Sequence, residues 1–379
     1  MQRLMLFNDE QKMIVETARK FAEKELMPVA GEMDEREEFP RKLLKNMGEL
    51  GFMGLLCPEE YGGSGMDALV YASVAEEIGH GWLAAGGTFS VHIMVEQLIL
   101  KHGTEEQKNK YLSALCSGES LGAIAMTETG AGSDLASIRS TAEKTKDGYR
   151  LNGNKIFITT GGEADIYLAL FRTGQERSNA SVFIVEKDTP GFSFGKKEHK
   201  MGYGSSPTRE LIFEDCFVPD ENLMGSAGKG MEIILGSLDS GRIGVAAISV
   251  GVAQAAYEYA LHYASQRVQF GKPISDFQGI QFMLADMATG IVASRQLVGQ
   301  AARLRDAGLS YTCEAAMAKL FASDTAMNVT TNAVQILGGY GYMKEYPVER
   351  YMREAKILQI VEGTNQIQRV VIARNILKK

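Results

Sequence analysis

One carboxylate near the C-terminus stands where it could act as a base. Glu362 follows the apolar pair Ile360 and Val361, and a predicted helix begins just after it. Apolar surroundings raise the pKa of a carboxyl group, as a general base for a weakly acidic proton requires. The helix dipole alone also favours an acid at a helix start. From these residues by themselves, that simpler interpretation is preferred.

A glycine-rich stretch, residues 125–134, is the second candidate for chemistry. It reads Ala-Met-Thr-Glu-Thr-Gly-Ala-Gly-Ser-Asp and stands at the start of a predicted β-rich region. Glycines let a ligand approach backbone N–H groups closely, so such a loop can hold a phosphate or a ring carbonyl. An ordinary turn explains the same residues equally well.

Other signatures of catalysis and nucleotide binding are incomplete. Residues 130–132 lack the third glycine of the dinucleotide fingerprint. Residues 228–230 lack the upstream glycine and the hydroxyl residue of a P-loop, and residues 62–66 lack the last glycine of a nucleophile elbow. These gaps count against nicotinamide enzymes, nucleoside triphosphatases and serine hydrolases.

The cysteines and histidines predict neither a disulfide framework nor a metal site. The four cysteines, at positions 57, 116, 216 and 313, are far apart in the sequence, and the five histidines show no H-E-x-x-H spacing. Free buried thiols in a reducing cytoplasm explain the cysteines best.

Composition and charge are those of an ordinary globular chain. Of the 379 residues, 45% are hydrophobic and 23% are charged, and the net charge of −7 is spread over mixed patches. A nucleic-acid partner would require a concentrated basic surface, so none is expected. The N-terminal apolar run is too short for a signal peptide, and no later stretch is expected to span a membrane. We therefore expect a cytoplasmic protein of two or three domains.

The elements that must position these candidates fall into three regions. Helical periodicity marks residues 8–118, where Asn8 and Gln11 form a predicted capping box. Short β-rich runs separated by turn signals follow and predict an antiparallel sheet. Long helical segments then predict a four-helix bundle. These segments cover roughly 229–266, 276–306, 311–337 and 365–378.

The predicted fold class is therefore α+β. We expect an N-terminal all-α domain, a middle β-domain and a C-terminal helix-bundle domain. Their predicted boundaries are 1–119, 120–228 and 229–379.

Seven motifs, in order along essentially the whole chain, resemble those of the acyl-CoA dehydrogenase family. They are Met126-Thr-Glu-x-Gly-Ala-Gly-Ser-Asp134, Lys155-Ile-Phe-Ile-Thr159, Asp239-x-Gly-Arg242, Arg267-Val-Gln-Phe-Gly-Lys-Pro273, Gln335-x-x-Gly-Gly339, Glu345-Tyr-Pro347 and Glu362-Gly-Thr-x-Gln-Ile-Gln368. So many widely spaced motifs in order make coincidence negligible. The family's architecture is a helical domain, an antiparallel β-barrel-like middle domain and a C-terminal four-helix bundle, which agrees with the three regions.

The resemblance implies oxidation of the Cα–Cβ bond of a CoA thioester to the 2-enoyl-CoA. In the family a glutamate takes the α-proton while the β-hydrogen leaves as hydride to N5 of FAD, and Glu362 stands at that position. The backbone N–H of the base and a flavin hydroxyl stabilise the charge that forms on the thioester oxygen. FAD performs the redox chemistry, and the protein positions it.

The resemblance also implies where FAD binds. The flavin ring is expected against Met126, Thr127, Phe157, Ile158 and Thr159, with Ser133 near the pyrophosphate. The adenine and pyrophosphate of a neighbouring subunit's FAD are expected at Arg267, Phe270, Gln278, Gln335, Gly338 and Gly339. Thr364 and Gln366 are expected on the phosphate side of the flavin, at a helix start.

Substrate contacts are implied in the same way. They are expected from Ser133, Asp239, Arg242, Val361 and Gly363. For Arg242, a surface ion pair is the simpler alternative.

The implied partners follow from this cofactor site. A site completed across an interface implies a homodimer or a homotetramer built as a dimer of dimers. The family's usual electron acceptor is an electron-transfer flavoprotein, and the resemblance implies one here.

Three positions depart from the family's usual pattern. Thr129 stands where Pro is frequent, and Phe157 stands where Trp is common. Val361 replaces the aromatic residue, often Tyr, that usually precedes the base. We expect Val361 to leave room for a branched or cyclic acyl group. Residues 84–88, expected near the acyl tail, offer no Arg for a dicarboxylic acyl group.

Two alternatives stay open. A flavin oxidase or monooxygenase on the same fold would react directly with oxygen. A non-catalytic assembly protein would retain the fold and FAD without the reaction. The intact motif around Glu362 favours the dehydrogenase over both.

Overall fold

Three regions of different secondary structure follow one another along the chain. The computed structural model describes residues 7–177 and 179–377, with helices at both ends and strands between them. This order confirms the mixed α+β class with N-terminal helices, a central sheet and a C-terminal helical region. The predicted domain boundaries stay predictions.

From residue 7 onward, where the structure describes it, the N-terminal region contains six α-helices. They are α1 (Asp9–Phe21), α2 (Met27–Glu35), α3 (Arg41–Glu49), α4 (Ala68–Gly81), α5 (Leu83–His102) and α6 (Glu105–Cys116). The capping box predicted at Asn8 and Gln11 starts α1, whose apolar stripe buries Ala18 and Phe21. Helices α4 and α5 are buried on almost every side, which is why they carry few charges.

The central region is one sheet of eight strands. They are β1 (Gly122–Ala125), β2 (Thr141–Lys144), β3 (Gly148–Thr159), β4 (Ile166–Arg172), β5 (Ala180–Glu186), β6 (Phe192–Lys197), β7 (Thr208–Pro219) and β8 (Leu223–Met224). Their order is β6-β7-β3-β2-β4-β5-β8, and β1 pairs with β4.

The sheet corrects two details of the prediction. Strands β1 and β2 pair with β4 in parallel while the other pairs are antiparallel, so the sheet is mixed. The prediction of a purely antiparallel sheet is therefore wrong for these two pairs: β2 and β3 lie between β1 and β4 in the chain, and so long a connection permits parallel pairing. Within the described residues, β6 and β8 do not pair, so no closed barrel is present.

Both faces of the sheet are buried, and strand alternation assigns side chains to each. Leu168 and Leu170 of β4 join the cluster that packs under α5 and α6. Tyr167 and Phe171 join the opposite cluster, where Phe171 lies edge-on to Phe213 with ring centroids 4.9 Å apart. This period of two explains why β4 is apolar at nearly every position.

The C-terminal region contains five helices within the described residues. They are α7 (Gly230–Gln266), α8 (Gln278–Asp306), α9 (Thr312–Leu337), α10 (Val348–Leu358) and α11 (Asn365–Ile376). Helix α10, which has eleven residues, was not predicted, because it begins directly after the break at 338–347. The count of four helices is therefore not confirmed, and the last predicted helical residue, 378, lies outside the described residues.

Two helices are long and apolar enough to cross a membrane by length and composition. They are α5 and α7. The sequence predicted no stretch that could span a membrane, and judged by length and composition alone this prediction was wrong. Within the protein, 78% of the apolar window of α5 and 72% of that of α7 are buried. Such burial is typical of helices in a protein core.

A buried ion pair anchors the loop between β1 and β2. Lys155 Nζ lies 2.6 Å from Glu128 Oε1, and both side chains are buried. Glu128 also accepts the backbone N–H groups of Arg139 and Ser140 at 2.6 and 3.1 Å. These bonds lower the pKa of Glu128 against the opposing effect of its burial, while burial lowers the pKa of Lys155 to about 8. The glycine-rich stretch is thus tied to β3.

We predict that Glu128→Ala lowers the free energy of unfolding by about 3–5 kcal/mol, because it leaves Lys155 charged and unpaired in the interior. Urea denaturation followed by circular dichroism measures the loss. Asp220→Ala is the matched control, since it breaks an exposed pair with Lys144 and should cost about 0–1 kcal/mol. Equal losses in the two variants would contradict the prediction.

Candidate active site

Glu362 lies in the short connection between α10 and α11. Its backbone is left-handed, with φ of 54°, and Gly363 follows with φ of 84°. A non-glycine residue pays a steric cost in this region, so the surroundings must enforce it. Thr364 then caps α11 by accepting the backbone N–H of Ile367 at 3.3 Å.

The carboxylate of Glu362 points into the protein. Although the residue as a whole is partly exposed, its Oε2 is buried and has no hydrogen-bond partner among the described residues. A Cβ atom placed on Gly241 of α7 would lie 2.8 Å from this oxygen and 2.5 Å from the sulfur of Met94. Glycine at position 241 therefore lets the carboxylate of Glu362 and the sulfur of Met94 approach α7 closely.

Burial raises the pKa of Glu362 to about 7, and the positive charges of Arg242 and Lys319 oppose that rise. Neither cation forms an ion pair with Glu362 within the described part of the chain. The two positive charges therefore act on the carboxylate from a distance, and no hydrogen-bond donor contacts its Oε2 among the described residues.

Arg242 is fixed beside the base and is not a surface residue. Its Nη1 lies 2.5 Å from Asp239 Oδ1, and Thr312 Oγ1 donates to the other oxygen of Asp239 at 2.5 Å. The Nε of Arg242 is buried and has no partner among the described residues. The simpler alternative, a solvent-exposed ion pair, is therefore wrong for Arg242. Unpaired buried atoms on both Arg242 and Glu362 are typical of a ligand site.

Helix α7 is open on one side of Gly241 and closed on the other. Toward its N-terminus, Leu235 is half exposed and Gly236 has nothing within 4 Å of a built Cβ. Toward its C-terminus every residue from 241 to 256 is buried. A Cβ on Gly244 would lie 2.2 Å from the hydroxyl of Tyr71 and 2.5 Å from that of Ser90. The N-terminal part of α7 is thus accessible, while the part beyond Gly241 is buried and lies against these hydroxyls.

Tyr71 and Ser90 form the closed end together. Their hydroxyl groups are 3.3 Å apart, and both residues are buried. Tyr71 also packs its ring against Phe89, with centroids 5.7 Å apart. Along a helix, positions three residues apart are about 5–6 Å apart, so this barrier lies about one helical turn from Gly241.

A second group of predicted residues gathers beside the sheet. The backbone N–H of Ile156 donates to Thr127 O at 2.8 Å, which joins the glycine-rich stretch to β3. Phe157 has φ of 58° and exposes 64% of its surface, while Met126, Thr127 and Thr159 are partly buried. The side chain of Ile158 lies in the sheet core, which leaves only its backbone for a ligand.

The neighbouring glycine-rich turn presents free backbone. Built Cβ atoms on Gly130 and Gly132 meet nothing within 4 Å, and Ser133 beside them is exposed. The backbone of this turn is accessible to a ligand, which agrees with both a binding loop and an ordinary surface turn.

A third group lines a groove of about 490 Å³ between the end of α7 and the end of α9. Arg267, Gly338 and Gly339 are in its lining, with the rings of Tyr263 and Tyr340. The guanidinium of Arg267 stacks 5.4 Å from the centroid of Tyr340. No hydrogen bond or ion pair joins this groove to Glu362 among the described residues.

Three predicted residues of this group stay outside the groove lining. Phe270 projects into solvent with 95% of its surface exposed, and Gln278 and Gln335 are also exposed. Gln366 is exposed on the first turn of α11.

The groove and the glycine-rich turn suit the chemical groups of FAD. Arg267 offers a cation for a pyrophosphate, and the tyrosine rings offer faces for an adenine. Open glycine backbone at 130, 132, 338 and 339 allows close approach of a phosphate or a ring edge.

Sequence reasoning missed several side chains around the base. Gly241 stood inside a quoted motif, and Lys319 could have been noticed as a lone cation in an apolar helix. Met94, Tyr71 and Ser90 carried no local signal, because only the packing of α4, α5 and α7 brings them to the site.

Two cysteines that are distant in the sequence meet in space. The ligand atoms of Cys57, Cys116 and Glu96 lie within 4.8 Å of one another, so this buried group could hold a metal ion. Cys116 Sγ donates to Glu96 Oε1 at 2.9 Å, and burial raises the pKa of Glu96 well above its ordinary value. The hydrogen bond between Cys116 and Glu96 accounts for the close approach of these two groups.

Family models match nearly the whole chain. The N-terminal, middle and C-terminal domains of acyl-CoA dehydrogenase match residues 8–119, 123–216 and 228–377. An acyl-CoA dehydrogenase of Bacillus subtilis (strain 168) is 52% identical over 98% of this chain and 99% of its own length. An acryloyl-CoA reductase (NADH) of Anaerotignum propionicum is 48% identical over 98% of this chain and 95% of its own.

Solved structures agree with these relatives. A chain in a study of the electron transferring flavoprotein of Acidaminococcus fermentans superposes with a TM-score of 0.97, at 50% identity and full coverage of both chains. Butyryl-CoA dehydrogenase from Megasphaera elsdenii superposes with a TM-score of 0.96, at 46% identity, covering 99% of this chain and 100% of that one. This chain therefore belongs to the acyl-CoA dehydrogenase family and is an FAD-dependent oxidoreductase of acyl-CoA thioesters.

Proposed function

We propose that the protein oxidises the Cα–Cβ bond of a short acyl-CoA to the 2-enoyl-CoA, with Glu362 as the base that removes the α-proton. The observation that carries this assignment is the buried Oε2 of Glu362, which has no hydrogen-bond partner among the described residues and lies close to the backbone of Gly241. A carboxylate with a pKa of about 7 is matched to proton transfer near neutral pH.

The chain's own groups provide for the charge that develops. Glu362 accepts the α-proton at Oε2, and its backbone N–H, which donates no hydrogen bond among the described residues, is available to the thioester oxygen. Arg242 holds a positive charge beside the site. FAD, when bound, accepts the β-hydrogen as hydride.

The residues proposed to hold FAD fall into two sets. Met126, Thr127, Phe157, Ile158 and Thr159, with Ser133, would bind the flavin and its pyrophosphate from the sheet side. Arg267, Phe270, Gln278, Gln335, Gly338 and Gly339 would bind the adenine end of a neighbouring subunit's cofactor, and Thr364 and Gln366 its phosphate side. The exposed ring of Phe270 and the open groove support the second set.

The closed end of the site supports a short acyl group. The hydroxyls of Tyr71 and Ser90 occupy the space beside Gly244, about one helical turn beyond the base. Similarity to butyryl-CoA dehydrogenase agrees with this limit. Asp239 and Arg242 would lie near the CoA side, and Ser133 and Gly363 would complete the substrate contacts.

The small side chain of Val361 supports an acyl site that is short in length but wide enough for a branch or a ring. It is partly buried and packs against the helical core, and a Val is smaller than an aromatic side chain at that place. A branched or cyclic acyl group would use the space that the smaller side chain leaves.

The assembly we propose is a homotetramer, a dimer of dimers in the cytoplasm, with domains at 1–119, 120–228 and 229–379. Large apolar side chains are exposed on the C-terminal helices and their connections, as at an interface between copies. They include Phe270, Phe282, Leu309, Tyr342 and Ile376. The electron acceptor we propose is an electron-transfer flavoprotein, in line with the study that contains the Acidaminococcus chain.

Replacing Glu362 by Gln tests the base directly. The variant should keep its yellow FAD, while anaerobic bleaching by butyryl-CoA should slow by about 10²- to 10⁴-fold, because the amide cannot accept the proton. Stopped-flow absorbance measures the rate, and reduction by dithionite controls for a competent flavin. A rate within a few-fold of the wild type would refute the assignment, and oxygen consumption that matches substrate oxidation would indicate an oxidase.

Shortening Tyr71 should lengthen the acyl chain that the enzyme accepts. In Tyr71→Ala the space beside Gly244 opens, so kcat/KM for octanoyl-CoA should rise relative to butyryl-CoA by about tenfold or more. Tyr167→Ala, which removes a buried tyrosine from the sheet, is the control and should leave this ratio unchanged. An unchanged ratio in Tyr71→Ala would place the end of the acyl site elsewhere.

Enlarging Val361 should narrow the site. In Val361→Tyr, kcat/KM for isobutyryl-CoA and cyclohexanecarbonyl-CoA should fall relative to butyryl-CoA by about tenfold, since the phenol ring fills the space beside the base. Val361→Ile, a change of one methylene, serves as the control. If relative rates stay the same in Val361→Tyr, this position does not select the acyl shape.

A further inference from the structure

Lys319 is a lysine buried completely inside α9. Its Nζ donates to Gly363 O at 3.0 Å and to Asn365 Oδ1 at 2.8 Å. Helix α9 therefore reaches the loop of the base through one side chain. Burying an ammonium group is unfavourable unless its hydrogen bonds compensate, so this contact is a constraint on where the loop can lie.

The loop that Lys319 holds has an unfavourable backbone. Glu362 and Gly363 are both left-handed, and their carbonyl groups point back toward the helices. Gln368, which is also buried, donates its Nε2 to Glu362 O at 3.0 Å and to Gly363 O at 2.8 Å. The Gly363 carbonyl thus receives two donors, one from α9 and one from α11.

Asn365 ties the same loop to α9 a second time. Its Nδ2 donates to Ser323 Oγ at 2.9 Å and to Asp324 Oδ1 at 2.7 Å, while its Oδ1 accepts from Lys319. The network therefore fixes both the start of α11 and the residue after the base. None of these bonds reaches the carboxylate itself.

We propose that Lys319 is a positioning residue for the reaction: by holding the Gly363 carbonyl, it fixes the left-handed backbone that directs the Glu362 carboxylate toward Gly241. This inference rests on the proposed role of Glu362 as the base. The ammonium charge of Lys319 also has a second effect: it favours the deprotonated form of Glu362 across the loop.

The other charged and titratable groups around Glu362 define the background for this effect. Arg242 faces it from α7, where Asp239 pairs with the guanidinium, and Tyr71 faces it from α4. Asp324 lies near Lys319 on α9 and favours its charged form. Burial lowers the pKa of Lys319 to about 8, so its proton is present below that pH.

Lys319→Met removes both the bond and the charge. We expect kcat for butyryl-CoA to fall by about 10- to 100-fold, since a small misplacement of a catalytic group has effects of that size. The midpoint of the pH profile of kcat/KM should also move upward by about one pH unit, because a nearby cation no longer favours the carboxylate. The wild-type profile is measured from about pH 5.5 to 7.5, where Lys319 keeps its proton, and the Lys319→Met profile, which lacks that group, from about pH 5.5 to 9.

Two further variants separate the two effects. Gln368→Leu removes the other donors to the loop without changing charge, so kcat should fall while the midpoint stays in place. Lys200→Met is the matched control, because Lys200 also donates to a backbone carbonyl, that of Ser206, and to Thr208 Oγ1, in the middle region. It should lower thermal stability and leave the midpoint unchanged.

Infrared difference titration makes the test independent of catalysis. The band of the protonated Glu362 carboxyl group, identified by its loss in Glu362→Gln, should titrate at higher pH in Lys319→Met. A normal kcat, or a lower kcat with an unmoved infrared midpoint, would overturn the proposal for Lys319. A shifted infrared midpoint together with full activity of Glu362→Gln would instead show that Glu362 is not the base.

Discussion

A carboxylate oxygen that is buried without a hydrogen-bond donor is unfavourable, and Glu362 Oε2 is such an atom. Water would normally solvate it, and a protein usually replaces that water with N–H or O–H donors. Here two cations act from a distance while no donor is bonded to the oxygen. A donor would lower the pKa of the carboxyl group and occupy the lone pair that must receive a proton. The unsatisfied oxygen is therefore the constraint around which the neighbouring groups are arranged.

Among the described residues the Glu362 carboxylate has no hydrogen-bond donor at Oε2, whereas the backbone of its loop accepts several hydrogen bonds. Lys319 and Gln368 donate to the carbonyls of the loop, and Asn365 links its end to α9. These donors are satisfied by loop carbonyls and by polar side chains of α9 and α11, so they hold the loop without bonding to the carboxylate of Glu362. A site built on the ends of packed helices keeps its geometry better than one on a free loop. In the sheet region, the buried Glu128–Lys155 ion pair fixes the glycine-rich turn to β3.

Much of this arrangement could be predicted from the sequence, because it is encoded in local patterns. The capping box at Asn8, the change from helical to β periodicity, and the motif around Glu362 are all short-range signals. The parallel pairing of β1 with β4 and the helix α10 were missed, since the first depends on a long connection and the second lies behind a glycine-rich break. The meeting of Tyr71, Ser90 and Gly244 has no local signature at all, because it arises from three helices packing together.

Two glycines on α7 let different groups approach the helix. At Gly241 the missing side chain makes room for Glu362 Oε2 and the sulfur of Met94, whereas at Gly244 it makes room for hydroxyl groups from α4 and α5. Close approach of helices is what glycine permits in both cases, so the difference lies in the partner helices. The loop of Glu362 is held by α9 and α11, while the hydroxyl groups beside Gly244 come from α4 and α5. Residues beside Gly244 can therefore change without breaking the hydrogen bonds that hold the loop of Glu362.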